Sequence, residues 1–233
     1  MGGFLKRPQT SSGPFPTTSD SAANISMNSC TDRSPVNLVL LGMSGTGKSS
    51  TGNSILGEKL FLAKSSSKPV TTMCQLGKTM INGLHVRVID TPDMFDDDME
   101  SSVRDKLLKN CTNLCGSHPC VFVLVLQVSR FTDGERDILT KLKKMFGRKV
   151  SEQTIILFTH GDDLSRAAMS LKTFLHQCQP DLREIAEMCG GRCVLFENKD
   201  SDTGQVEDLI DNVKEVLKQI NPNIISSKVH LLH

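Results

Sequence analysis

Residues Gly42-Met-Ser-Gly-Thr-Gly47-Lys48-Ser49 fit the pattern G-x-x-x-x-G-K-[ST] in full. Glycines let such a loop wrap with its backbone N–H groups pointing inward, and a helix N-terminus behind it adds positive potential, so the loop can hold a β-phosphate. Gly42, Met43, Ser44, Gly45, Thr46 and Gly47 would form this cradle, with Ser50 just beyond it. Lys48 is positioned to neutralise β- and γ-phosphate oxygens, and Ser49 to offer Mg²⁺ a hydroxyl.

Further along, the apolar run Leu84 to Ile89 ends in Asp90-Thr-Pro-Asp93. An Asp at the end of a strand beside the phosphate loop suits the outer shell of Mg²⁺, as in the Asp-x-x-Gly switch of GTPases. Asp93 stands where that switch has Gly. Met94 stands where Ras-like enzymes carry a water-orienting Gln, and a thioether orients water poorly, so intrinsic hydrolysis is expected to be slow. The long Ser/Lys-rich stretch Leu62 to Thr72 reads as a first switch loop, with Thr71 favoured over Thr72 as a third Mg²⁺ partner. Base selection should come from loops at the carboxyl ends of the last two strands. These carry Thr159-His160-Gly161-Asp162-Asp163 and Glu197-Asn198. A carboxylate that accepts from guanine N1 and N2 rejects adenine, so Asp162 is the candidate, with Asp163 the alternative. His160 is positioned to stack on the base, and Glu197 or Asn198 to contact it from the other loop.

These residues need a scaffold of strands and helices in alternation, and from Pro35 onward the pattern supplies it. Strands are expected at Asn37 to Leu41, Met73 to Met80, Leu84 to Asp90, Val121 to Val128, Thr154 to Phe158 and Cys193 to Phe196. Asn82-Gly83 between the second and third is a two-residue turn that favours positive φ, which makes that pair an antiparallel hairpin. Helices are expected at about Lys48 to Leu56, Met99 to Leu114, Asp133 to Phe146, Arg166 to Gln177, Asp181 to Met188 and Val206 to Ile220. The sum is an α/β fold: a three-layer P-loop G domain, with a mostly parallel sheet of about six strands, one antiparallel edge strand and helices on both faces.

The 233 residues hold 27 Lys+Arg against 26 Asp+Glu and are 38% hydrophobic. That is the composition of one globular domain, and a net charge of +1 gives no field to attract nucleic acid or an anionic membrane. Residues 1–34 are rich in Ser, Thr, Pro, Asn and Gly and read as a flexible tail, 35–221 as the domain, and 222–233 as a short C-terminal tail. Eight cysteines are too few for a disulfide scaffold, and Cys111, Cys115, His118 and Cys120 match no zinc spacing. No secretory leader or membrane-length apolar run is visible, so a cytoplasmic protein with reduced thiols is expected. Lys6 stands where a myristoylation motif wants Ser or Thr.

From about Val36 to Ile220 the chain resembles the GTPases of immunity-associated proteins (GIMAP), relatives of septins and of chloroplast import GTPases. The likeness rests on Leu40 to Gly57, Val70-Thr71 with Cys74-Gln75, Ile89-Asp-Thr-Pro92 with Phe95-Asp96, and Phe158 to Leu164. Its most specific part is Gly116-Ser-His-Pro-Cys-Val-Phe-Val-Leu-Val-Leu-Gln127, continuing through Arg130-Phe131-Thr132. Asp93 for Gly and Glu197-Asn198 for a usual Asn-Asn are departures. The resemblance implies a G domain with extra helices beside the second switch, GTP/GDP and Mg²⁺ as ligands, an immune-cell role, and GTP-dependent pairing as a homodimer or with related GTPases. It also implies that some members hydrolyse GTP with an Arg supplied in trans, and others act as GTP-binding scaffolds. Arg104 and Lys109, on the helix after the second switch, are the available cations, though a solvated helix face accounts for both. Two functions follow: a dimerising GTPase of low turnover, or a GTP-gated oligomerising scaffold. An ATP-using kinase would need an Arg-rich lid that the sequence lacks.

Overall fold

The computed structural model of the chain describes residues 34–64, 70–198 and 203–220. The expected tails, apart from Ser34, and the middle of the Leu62 to Thr72 loop lie outside the described residues.

Strand β1 (Val36–Leu41) is buried along its whole length, because it pairs in parallel with β3 (Leu84–Asp90) on one side and β4 (Cys120–Gln127) on the other. Beyond β4 lie β5 (Thr154–Thr159) and β6 (Cys193–Leu195), both parallel. At the other edge β2 (Gln75–Ile81) pairs antiparallel with β3 through the Asn82-Gly83 turn, giving the order β2-β3-β1-β4-β5-β6. Alternation along each strand divides the core in two. Val39, Leu41, Phe122, Leu124, Leu126, Ile156 and Phe158 face one layer, where they meet Cys111 and Cys115 of α2 (Ser101–Cys115), Leu139 and Leu142 of α4 (Ile138–Phe146), and Leu182 and Ile185 of α7 (Pro180–Met188). Leu38, Leu40, Val121, Val123, Val125, Ile155 and Leu157 face the other, beneath Ile55 of α1 (Lys48–Leu56) and Leu209, Ile210, Val213 and Val216 of α8 (Thr203–Ile220). This is the three-layer α/β arrangement that the strand and helix patterns predict.

Two of the expected helices differ in the structure. Asp133 to Phe146 divides into α3 (Asp133–Arg136) and α4 at Asp137. The reason is local: the Glu135 carboxylate accepts from Thr132 N at 2.7 Å and Thr132 Oγ1 at 3.0 Å, closing the first turn on itself. The helix expected at Arg166 to Gln177 begins only at Leu171, as α6 (Leu171–Gln177), and an additional helix, α5 (Gly161–Arg166), precedes it. Left-handed His160 turns β5 straight into a helix, left-handed Ala168 ends it, and the Ser170 hydroxyl, accepting from Thr173 N, starts the next. A 3-10 turn at Arg148–Gln153 was not expected. Buried Arg192 donates to Ser151 O, Glu152 O and Thr154 O at its end, each within 3.1 Å.

Two polar clusters lie beneath β1. Asn37 is fully buried: its Nδ2 donates to Cys115 O (2.9 Å) and His118 O (3.3 Å), and its Oδ1 accepts from Arg87 Nε (2.9 Å). Close by, the thiols of Cys74, Cys111, Cys115 and Cys120 interact in succession. The hydrogen bond that it donates to its neighbour Cys111, with burial, pushes the Cys115 thiol up to about 12, so it stays protonated at neutral pH. Among the described residues no His, Cys, Asp or Glu group has metal-holding geometry.

Candidate nucleotide-binding site

The phosphate loop joins β1 to α1 and opens into a cleft of ≈ 560 Å³ lined by Ser44, Gly45, Gly47 to Ser50, Thr71, Asp93, His160, Asp162 and Asn198, among others. Its volume lies within the range of small-molecule sites. Backbone sterics fix the loop at Gly42. Its φ is +149°, and a Cβ there would come within 2.4 Å of Val125 O. Gly47, at φ +97°, caps α1 and leaves the first-turn N–H groups of Lys48, Ser49 and Ser50 facing the cleft end of the helix. Lys48 is buried and donates to Gly42 O and Met43 O at 2.8 Å each. Burial lowers its pKa, while the carboxylates of Asp93 and then Asp90 oppose the shift. Thr46 is buried on the inner side of the loop.

Neighbouring elements hold the loop from behind. Thr159 Oγ1, at the end of β5, lies 2.8 Å from Thr46 O and 3.2 Å from Leu126 O. Thr132 Oγ1, which opens α3, reaches Met43 Sδ at 3.9 Å. Thr91 Oγ1 donates to Leu40 O at 2.6 Å.

Three residues singled out as metal partners come together. Asp90 Oδ2 accepts from Ser49 Oγ at 2.6 Å and more loosely from Thr71 Oγ1 at 3.5 Å, and the two hydroxyls are 3.2 Å apart. Thr72 is exposed. Burial raises the Asp90 carboxyl above its ordinary range, while Ser49, Lys48 and Thr71 pull it back. Asp90 Oδ1 is buried without a hydrogen-bond partner among the described residues. Two hydroxyls and one carboxylate, whose Oδ1 is buried and unsatisfied, form an all-oxygen donor set that fits Mg²⁺.

At the other end, His160, Asp162 and Asn198 line the cleft, whereas Glu197 does not. The backbone of Glu197 is tied to the side chain of Gln205 (2.7 and 3.3 Å). Asp162 lies on the first turn of α5, 3.6 Å from Arg166, which also pairs with Asp163. Asn198 Nδ2 donates to Thr51 Oγ1 and Asn198 Oδ1 accepts from Ser54 Oγ, both at 3.1 Å, so the last loop is fastened to α1. Thr51 is a supporting residue that the motifs do not reveal, since only its burial and its partner mark it.

The segment after β3 is held at several points. Asp93 Oδ2 accepts from Ser44 N at 2.6 Å and Asp93 Oδ1 from Phe95 N at 2.9 Å. Met94 and Phe95, each 1% exposed, are buried in the core. Arg104 is no solvated helix residue: its guanidinium donates to Met94 O, Asp96 O and Met99 O. Lys141 on α4 donates to Phe95 O and pairs with Asp97. Lys109 is exposed on α2.

A mostly parallel sheet with the phosphate loop between its central strand and α1, and an Asp at the end of the neighbouring strand, defines a G domain of the P-loop class. The chain belongs to the AIG1 family, whose model matches residues 36–232. It is 36% identical over 190 residues to "Immune-associated nucleotide-binding protein 9" of Arabidopsis thaliana, covering 79% of this chain and 56% of that protein. For "Immune-associated nucleotide-binding protein 4" of the same plant the figures are 32% over 202 residues, 83% and 62%. The chain thus spans little more than half the length of these curated relatives. Among solved structures, Toc33 from Arabidopsis thaliana in complex with GDP and Mg²⁺ superposes with a TM-score of 0.58 at 20% identity, covering 81% of this chain and 86% of that one. A structure from work describing dimerisation as important for the GTPase activity of atToc33 and psToc159 also gives 0.58, at 19% identity, covering 79% and 84%. At such identities the likeness establishes the fold.

Proposed function

We propose that the chain is a guanine-nucleotide-dependent switch that binds GTP and GDP with Mg²⁺, hydrolyses GTP slowly, and pairs with a second copy or a related GTPase across its nucleotide face. The observation that carries this reading is the convergence of Lys48, Ser49, Thr71 and Asp90 at the phosphate loop, in a cleft whose far end holds Asp162. Lys48 and the loop N–H groups would bind phosphate oxygens, and Ser49 and Thr71 would hold the metal with Asp90 behind them. When bound, Mg²⁺ neutralises charge on the β- and γ-phosphate oxygens. Asp162 accepts from guanine N1 and N2, and His160 lies against the base. The Toc33 complex with GDP and Mg²⁺ supports the choice of ligands, and the importance of dimerisation for the GTPase activity of atToc33 and psToc159 supports pairing. Low cysteine density is consistent with a cytoplasmic location. Among the described residues no helix is long and apolar enough to cross a membrane.

Asp162→Asn is expected to weaken GTP binding by about 10- to 100-fold, because an amide cannot accept from both guanine donors, and to narrow the preference over ATP. Parallel titrations with GTP and ATP give the ratio directly. An unchanged ratio would move base recognition elsewhere.

Met94, in the place of a water-orienting Gln, is buried in the core, and this favours a second reading, a GTP-gated scaffold with negligible turnover. The two separate on GTP turnover per mole, measured with Mg²⁺ over a wide range of protein concentration. A specific rate that climbs with concentration means that one subunit completes the other's site. A rate near zero with GTP bound means a scaffold, and failure to bind GTP at all overturns both readings.

A further inference from the structure

Along the cleft edge of the sheet the strand order places the loops after β6 and β5 at one end, the phosphate loop after β1 in the middle, and the segment after β3 at the other end. A nucleotide whose base lies against Asp162 and whose β-phosphate lies over the N-terminus of α1 therefore directs its last phosphate toward β3. That end of the cleft is already provided with an anion. Asp93 Oδ2 accepts from Ser44 N at 2.6 Å across 49 positions of sequence. Ser44 is the third residue of the phosphate loop, and its N–H is one of the donors that such a loop presents to phosphate oxygens.

The contact is built rather than incidental. The second carboxylate oxygen is held by Phe95 N at 2.9 Å, in a turn that orients the side chain. Behind it Met94 and Phe95 are buried, and Arg104 and Lys141 hold the carbonyls of Met94, Phe95 and Asp96. Asp93 also acts on Lys48 more strongly than Asp90 does. Glycine, the residue that the switch motif carries here, can make none of these contacts.

We infer that the Asp93 carboxylate occupies the place of the terminal phosphate, so that the site accepts a nucleoside diphosphate readily and a triphosphate only after Asp93 has left Ser44. Asp93 is then a specificity-determining residue that biases the switch toward its diphosphate form. The inference rests on the guanine-nucleotide reading above. A diphosphate ends over the α1 N-terminus and leaves the Ser44 N–H to the carboxylate. The third phosphate of a triphosphate meets a like charge at hydrogen-bonding distance from the same donor, and such a juxtaposition of like charges is unfavourable. A rotation of the Asp93 side chain about its χ1 would relieve it, at the loss of both backbone contacts.

The test is the affinity of the full chain for GDP and for the non-hydrolysable triphosphate GMPPNP, each with Mg²⁺, by calorimetry. Asp93→Asn keeps the shape and removes the charge, and Asp93→Gly removes the side chain. The unaltered chain is expected to bind GDP about tenfold or more tightly than GMPPNP. Both variants should narrow that gap by strengthening GMPPNP binding by more than any change in GDP binding. Equal affinities in the unaltered chain, or a ratio that neither variant moves, would overturn the inference and leave the nucleotide reading intact. Loss of GDP binding in both variants would also overturn it, because Asp93 would then be shaping the loop rather than excluding a phosphate. An unaltered chain that binds neither nucleotide would remove the nucleotide reading itself and the inference with it.

Discussion

Lys48→Ala is expected to lower guanine-nucleotide affinity by at least about 100-fold, and fluorescence titration with a labelled GDP would measure it. The size follows from the charge-assisted hydrogen bonds that an ammonium makes to phosphate oxygens, each contributing about 1.5–3 kcal/mol, with a factor of ten for every ~1.4 kcal/mol. The effect on the fold should be small. Lys48 is buried, with a pKa lowered by that burial, and it bonds two carbonyls of its own loop, so its removal relieves a desolvated charge while it frees Gly42 O and Met43 O. A melting temperature within a few degrees of the starting value, together with lost binding, would assign the effect to the phosphates. Retained micromolar affinity would remove the proposed function.

The second large effect concerns stability. Asn37→Leu should destabilise the domain by about 3–5 kcal/mol, because the substitution leaves buried Cys115 O and part-buried His118 O and Arg87 Nε without their partner. For a domain of this length that corresponds to a fall in melting temperature of roughly 6–20 °C. Leucine shares the γ-branched shape of asparagine and, though larger, carries more apolar surface, so a naive reading of an all-buried strand predicts the opposite sign. Thermal unfolding followed by circular dichroism distinguishes them.

The contrast between these two positions explains what the sequence made legible. Lys48 is fixed by a motif whose spacing encodes the chemistry, and the strand beneath it by a run of apolar residues, so sheet and phosphate loop both followed from local pattern. Asn37 looked like the first residue of an ordinary strand. Its partners lie 50 or more positions away, at Arg87, Cys115 and His118, and no local pattern announces a contact of that separation. The same holds for Thr51 and Asn198, 147 positions apart. The helix break at Asp137 and the gap between α5 and α6 at Ala168 were missed because amphipathic spacing continues across both, while the chain direction is decided by a side-chain cap at Glu135 and by left-handed backbone at His160 and Ala168. Arg104 looked like a surface cation because its acceptors are backbone carbonyls, which carry no sequence signature. At the base end, spacing alone left Glu197 and Asn198 equivalent, and only the closing helix, through Gln205, separates them.

The burial of Met94 and Phe95 bears on how this molecule moves. Withdrawing two such side chains from a core costs about 1.5–3 kcal/mol each, so a state in which the whole segment swings outward as a lid is populated below about 1%. The segment therefore belongs to the same cooperative unit as the central sheet and should share its slow hydrogen exchange. What remains free to respond on a fast timescale is the Asp93 side chain itself, since Thr91 and Pro92 ahead of it are buried and Thr91 is tied to Leu40 O.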